Sequence, residues 1–98
     1  MAKSFFVETL EHNDPELLSQ TTALRNFVEK DGALSAKTKI LMEMLGDAIL
    51  GHADGVKSIA DRARAQGATE AEITETVRMA FLFGGLPGLY TGISAWRK

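Results

Sequence analysis

The apolar residues of this sequence recur at three- and four-residue steps, and each run is bracketed by residues that start or stop helices. That combination points to an all-α fold, because no stretch alternates apolar and polar residues as a half-buried strand would. The first segment, Phe5 to about Glu11, ends near Asn13-Asp14-Pro15, where Asp14 can cap a new helix with Pro15 in its first position. From Glu16 to Lys30, Leu17, Thr21, Leu24 and Val28 fall on one face, which the pattern predicts to be buried, and Asp31-Gly32 ends that helix. Ser35 is the next N-cap. The helix it opens, Ala36 to about Leu50, carries Ile40, Leu41, Met44, Leu45, Ala48 and Ile49 in a stripe wide enough for a central element. On its other side Lys39, Glu43 and Asp47 line up four apart, so Glu43 and Asp47 repel by about a few tenths of a kcal/mol. Such a line is ordinarily a solvated face and in some proteins a site.

After Gly51-His52, Val56, Ile59, Ala60 and Ala63 point one way and Lys57, Asp61 and Arg64 the other, and Gly67 supplies a left-handed end. This segment is predicted to form a helical hairpin with its predecessor. Thr69-Glu70-Ala71-Glu72 is a capping box, with the threonine hydroxyl serving the amide three residues on and Glu72 reaching back. The helix that follows is predicted to bury Ile73, Val77, Ala80 and Phe81. Beyond Gly84-Gly85, Pro87 starts a last helix in which Leu89, Ile93 and Trp96 share a face. The expectation is a single all-α domain spanning residues 1–98, with about six helices around a central helical hairpin.

A chain of 98 residues buries only ~60–65% of the surface it exposes when unfolded, so its core is small. Ala80-Phe81-Leu82-Phe83 is apolar all round, more than a monomer of this size covers, which predicts a homo-oligomer. The net charge of −2 arises from 13 acidic and 11 basic residues, and the bases are dispersed, which argues against nucleic-acid partners. Met79 to Trp96 carries no formal charge, but Gly84, Gly85, Pro87, Gly88 and Gly92 interrupt it, so two buried helical pieces are expected rather than a membrane span. The N-terminus reaches Glu8 too soon for a secretory apolar segment, and a cytoplasmic protein is expected. There are 0 cysteines, which excludes a disulfide framework, a cysteine zinc site and a cysteine nucleophile.

Read in order, Leu34-Ser35-Ala36-Lys37-Thr38-Lys39, Leu50-Gly51, Gln66-Gly67-Ala68-Thr69-Glu70-Ala71-Glu72-Ile73 and Phe83-Gly84-Gly85-Leu86-Pro87 resemble the carboxymuconolactone decarboxylase family, which includes the alkylhydroperoxidase-D-like proteins. The resemblance implies an all-α fold assembled as a trimer or hexamer, and an activity of decarboxylase or peroxiredoxin-type peroxidase. The redox branch of that family places Cys-x-x-Cys-x-x-x-His after the Leu-Gly, with the first cysteine fifteen residues before the glycine of Gly-Ala-Thr. Counted back from Gly67, the first cysteine falls on His52, the second on Gly55, the histidine on Ile59 and a further acidic residue on Ile40. Peroxide reduction by that route needs one thiolate to attack oxygen and a second thiol to resolve the sulfenic acid. Neither sulfur is present, and the two isoleucines can move no proton. The non-redox branch, also cysteine-free, resembles the redox branch in keeping the histidine that Ile59 replaces, so lactone decarboxylation is put in doubt as well.

His52, at a helix start, and Asp54, two residues on, are the candidate catalytic residues, with His52 as a general base oriented by Asp54. The plainer reading makes His52 a surface or cap residue. Glu43, Asp47, His52 and Asp54 are of metal-ligating types, but helical direction argues against their converging, and neither a metal nor a cofactor is expected. His12 reads as a turn residue, and Tyr90 and Trp96 as packing aromatics. Two functions follow: non-redox acid–base chemistry on a small organic acid or lactone, or a catalytically silent oligomeric module that binds a small ligand or a partner. On either, purified protein is expected to give no thiol-dependent hydroperoxide turnover above background, and measured turnover would contradict the chemistry above.

Overall fold

The computed structural model describes residues 4–98 and is helical throughout its ordered elements. Met1-Ala2-Lys3, part of the stretch read for a leader, lie outside the described residues. Five α-helices are followed by one 3-10 helix: α1 (Phe5–Asn13), α2 (Pro15–Glu29), α3 (Ala36–Leu50), α4 (Ala53–Ala65), α5 (Glu70–Gly92) and the 3-10 turn (Ile93–Trp96). No helix among the described residues is long and apolar enough to cross a membrane. The chain divides into two compact units, Met1–Lys30 and Asp31–Lys98.

In the first unit α1 packs against α2. Asp14 makes the joint, its Oδ1 accepting from the Leu17 amide at 3.0 Å with Pro15 in the first turn. The predicted burial of Leu17, Leu24 and Val28 is not found: all three are exposed, and the one buried residue of α2 is Glu29, whose Oε2 accepts from Arg25 at 3.1 Å. A two-helix unit has too little surface of its own to enclose a full apolar stripe.

The second unit holds the core. α3 packs against both α4 and α5, and the 3-10 turn packs against α4 and α5. Ser35 caps α3, accepting from the Thr38 amide at 3.1 Å. Ile40, Met44 and Ala48 of α3 are buried against Val56, Ile59, Ala60 and Ala63 of α4 and Ile73, Val77 and Ala80 of α5. Met44, Val56 and Ile73 are the largest side chains wholly withdrawn from solvent. Leu41 and Leu45 border this cluster, whereas Ile49 is exposed.

Gly67 closes α4 in the left-handed region (φ +94°), and both halves of the capping box form at the start of α5. The Thr69 amide donates to Glu72 Oε1 at 2.8 Å, and Thr69 Oγ1 accepts from the Glu72 amide at 3.1 Å. Arg64 ties the two helices together, donating to both oxygens of Glu70 at 2.7 and 3.1 Å and to Asp61 at 2.8 Å. The hydrogen bond from Lys57, joined by that from Arg64, holds the Asp61 carboxyl below the usual aspartate range, against a smaller opposing effect of burial.

The two apolar pieces expected at the C-terminal end form with a sharp break between them. Gly85 lies at φ +64°, ψ −157°, a conformation essentially restricted to glycine, and Pro87 follows it. The second piece of α5 then lies so near the end of the first that a β-carbon at Gly88 would stand 2.5 Å from the Ala80 carbonyl oxygen. Phe81, predicted to be buried, is exposed. It stands about 40° round the helix from the buried Val77, at the edge of the stripe, where its ring borders an open groove with Val77, Leu89 and Trp96. Leu89 packs on the core, while Ile93 and Trp96 are each a little under half exposed.

Met44→Ala is expected to lower unfolding free energy by about 2–5 kcal/mol, and Thr69→Ala by about 1 kcal/mol through loss of the cap. Urea melts of the two variants check both. Asp61 has a folded-state pKa below its unfolded value, so its contribution is complete above the ordinary aspartate range and fades as pH falls through the lowered value. Lys57→Ala should therefore shrink the acid-induced loss of stability, as measured by melts across the acid limb.

Candidate functional site

The α3–α4 corner is built by a helix end and a helix start placed back to back. Gly51 terminates α3 in the left-handed region (φ +82°), and the His52 amide donates to the Asp47 carbonyl at 2.8 Å. This is the six-to-one bond of a Schellman ending, and it fixes the backbone of His52 against the last turn of α3. His52 is then the N-cap of α4 and makes no side-chain cap of its own. Its ring turns back instead, with Nδ1 3.0 Å from Asp47 Oδ1. The imidazole is 58% exposed and the Asp47 carboxylate 26%.

Asp54 does not serve the histidine. Its side chain is 99% exposed and accepts from Arg97 at 2.8 Å, a link across 43 residues that ties the start of α4 to the C-terminal end. The structure thus separates the two candidate residues into different pairs, Asp47 with His52 and Asp54 with Arg97. The line Lys39, Glu43, Asp47 is broken up in a related way, since Glu43 lies 3.5 Å from Arg62 of α4 while Asp47 faces the corner. Among the described residues no three His, Cys, Asp or Glu side chains come together as a metal site.

Positions 40 and 59, where the resemblance puts an acid and a histidine, are filled by Ile40 and Ile59 of the buried core. A proton relay through them is impossible, because both side chains are hydrocarbon and both are packed. Beside the corner lies an open groove of about 340 Å³ lined by Ala53, Tyr90, Thr91, Ile93, Ser94 and Arg97. His52 precedes Ala53 in sequence but is not part of that lining. A second groove, of about 360 Å³, is bordered by Val77, Arg78, Phe81, Leu89 and Trp96.

Asp47 is the residue that sequence reading missed as a partner of His52. The signal was present: an acid five residues before a histidine, with glycine between them at position 51, is the spacing that a Schellman turn closes. Asp54→Ala is expected to leave the His52 ring resonances unchanged and to cost at most about 1 kcal/mol, since the lost ion pair is exposed. A histidine spectrum and a urea melt of that variant check the separation of the two pairs.

No curated protein and no solved structure matches the chain at a significant level. The sequence profile of the carboxymuconolactone decarboxylase family, however, matches residues 15–98, which takes in α2, the whole core and the corner that carries His52. The helical fold and the cysteine-free corner described above are those of one of its members: the chain belongs to the carboxymuconolactone decarboxylase family.

Proposed function

We propose that this protein carries out non-redox acid–base chemistry on a small organic acid or lactone, with His52 as the general base. The observation that supports this is the hydrogen bond between His52 and Asp47, which leaves the other ring nitrogen directed away from its partner and open to a substrate. The groove next to Ala53 offers room for a small molecule, with the Arg97 guanidinium and the Tyr90 phenol at its edge as donors to a carboxylate or a lactone carbonyl.

Phe81, Leu82, Phe83, Leu86 and Tyr90 are exposed on α5, on both sides of the break at Gly85. That apolar surface supports assembly into a trimer or hexamer, which would cover it and exclude water from the neighbouring corner. The same surface favours a second reading, a catalytically silent oligomeric module that binds a small ligand or a partner protein.

His52→Ala separates the two. If the acid–base reading holds, the variant loses at least about a hundredfold in turnover on whichever lactone or organic acid the wild type consumes, while its assembly is unchanged. Unchanged turnover eliminates His52 as the base; inactivity of the wild type across such a panel, with a ligand recovered from the purified protein, supports the module. A monomeric mass by light scattering at micromolar concentration would refute self-association.

A further inference from the structure

We infer that Asp47 is the positioning residue of the His52 base, and that Gly55 is the place in α4 that makes room for its carboxylate. This rests on the reading of His52 as a base and adds the group that orients it. Asp47 holds His52 at two points, by its backbone carbonyl on the His52 amide at 2.8 Å and by its Oδ1 on the ring Nδ1 at 3.0 Å. A carboxylate only accepts hydrogen bonds, so in the neutral ring Nδ1 carries the hydrogen and Nε2 carries the lone pair. Nε2 is then the atom that takes a proton from a substrate. The ring is oriented as well as polarised, because the carboxylate is anchored on a helix and not on a loop.

Gly55 is a second and independent observation. A β-carbon built there would lie 2.7 Å from Asp47 Oδ2 and 2.9 Å from its Cγ. The carboxylate therefore occupies the volume that any side chain at position 55 would take, and even alanine would push it off the imidazole.

The test reads the tautomer of His52 directly, without a substrate, from the 15N shifts of the imidazole at a pH where the ring is neutral. The wild type is expected to show mainly the Nδ1–H form. Asp47→Ala should return the ring to the Nε2–H form that neutral imidazole favours in water, and Gly55→Ala should shift it the same way although Asp47 remains. A backbone amide spectrum confirms that each variant is folded; if Gly55→Ala does not fold, Asp47→Ala alone decides. A wild-type ring mainly in the Nε2–H form, or tautomer populations unchanged by Asp47→Ala, overturns the inference while leaving the role of His52 open. Conversely, full turnover by His52→Ala removes the base but not the tautomer result. Where turnover is measurable, Asp47→Ala should lower kcat by about 10–100-fold with KM little changed.

Discussion

Close approach of α3 to its two neighbours is the constraint on which the rest of the structure depends. It is achieved with small side chains: Ala48 on α3, Ala60 and Ala63 on α4, Ala80 on α5, and Gly92 within reach of Ala48, Val77 and Ala80. Few large residues are fully enclosed, so the unit gains its cohesion from helix backbones lying near one another more than from bulk. That proximity sets the separation of α3 and α4 at their shared corner. At that corner the first turn of α4 lies so near the Asp47 carboxylate that only a glycine, Gly55, fits beside it.

The helix boundaries were legible in the sequence because the interactions that make them are local. Asp14, Ser35, Thr69 with Glu72, and Gly67 each act within a few residues, and each acts as its chemistry dictates. Side-chain burial was legible only where a second helix lay opposite. The Val56, Ile59, Ala60, Ala63 face is buried; the Leu17, Leu24, Val28 face is exposed, although its periodicity is as regular. Phe81 failed for a finer reason, since it lies at the edge of the stripe and borders an open groove instead of a packed helix. The corner shows the same limit. Sequence proximity favoured Asp54 as the partner of His52, yet Asp54 faces outward along α4 to Arg97, and the acid that meets the ring lies on the other side of the turn.

Membership in the carboxymuconolactone decarboxylase family rests on a match that takes in α2, the core and the α3–α4 corner. The four positions at which the resemblance places a redox relay fall into two groups here. Two of them, Ile40 and Ile59, have been absorbed into the hydrophobic interior, where they add to cohesion. The other two, His52 and Gly55, remain at the corner and accompany a polar pair.

The contact between Gly88 and the Ala80 carbonyl bears on how this sequence can drift. Every amino acid one nucleotide change away from a glycine codon carries a β-carbon, and no rotamer can move a β-carbon. The C-terminal return is therefore closed to single-step variation at that codon, and a lineage that lost glycine there would have to open the end of α5 and abandon the groove beside Tyr90 along with it.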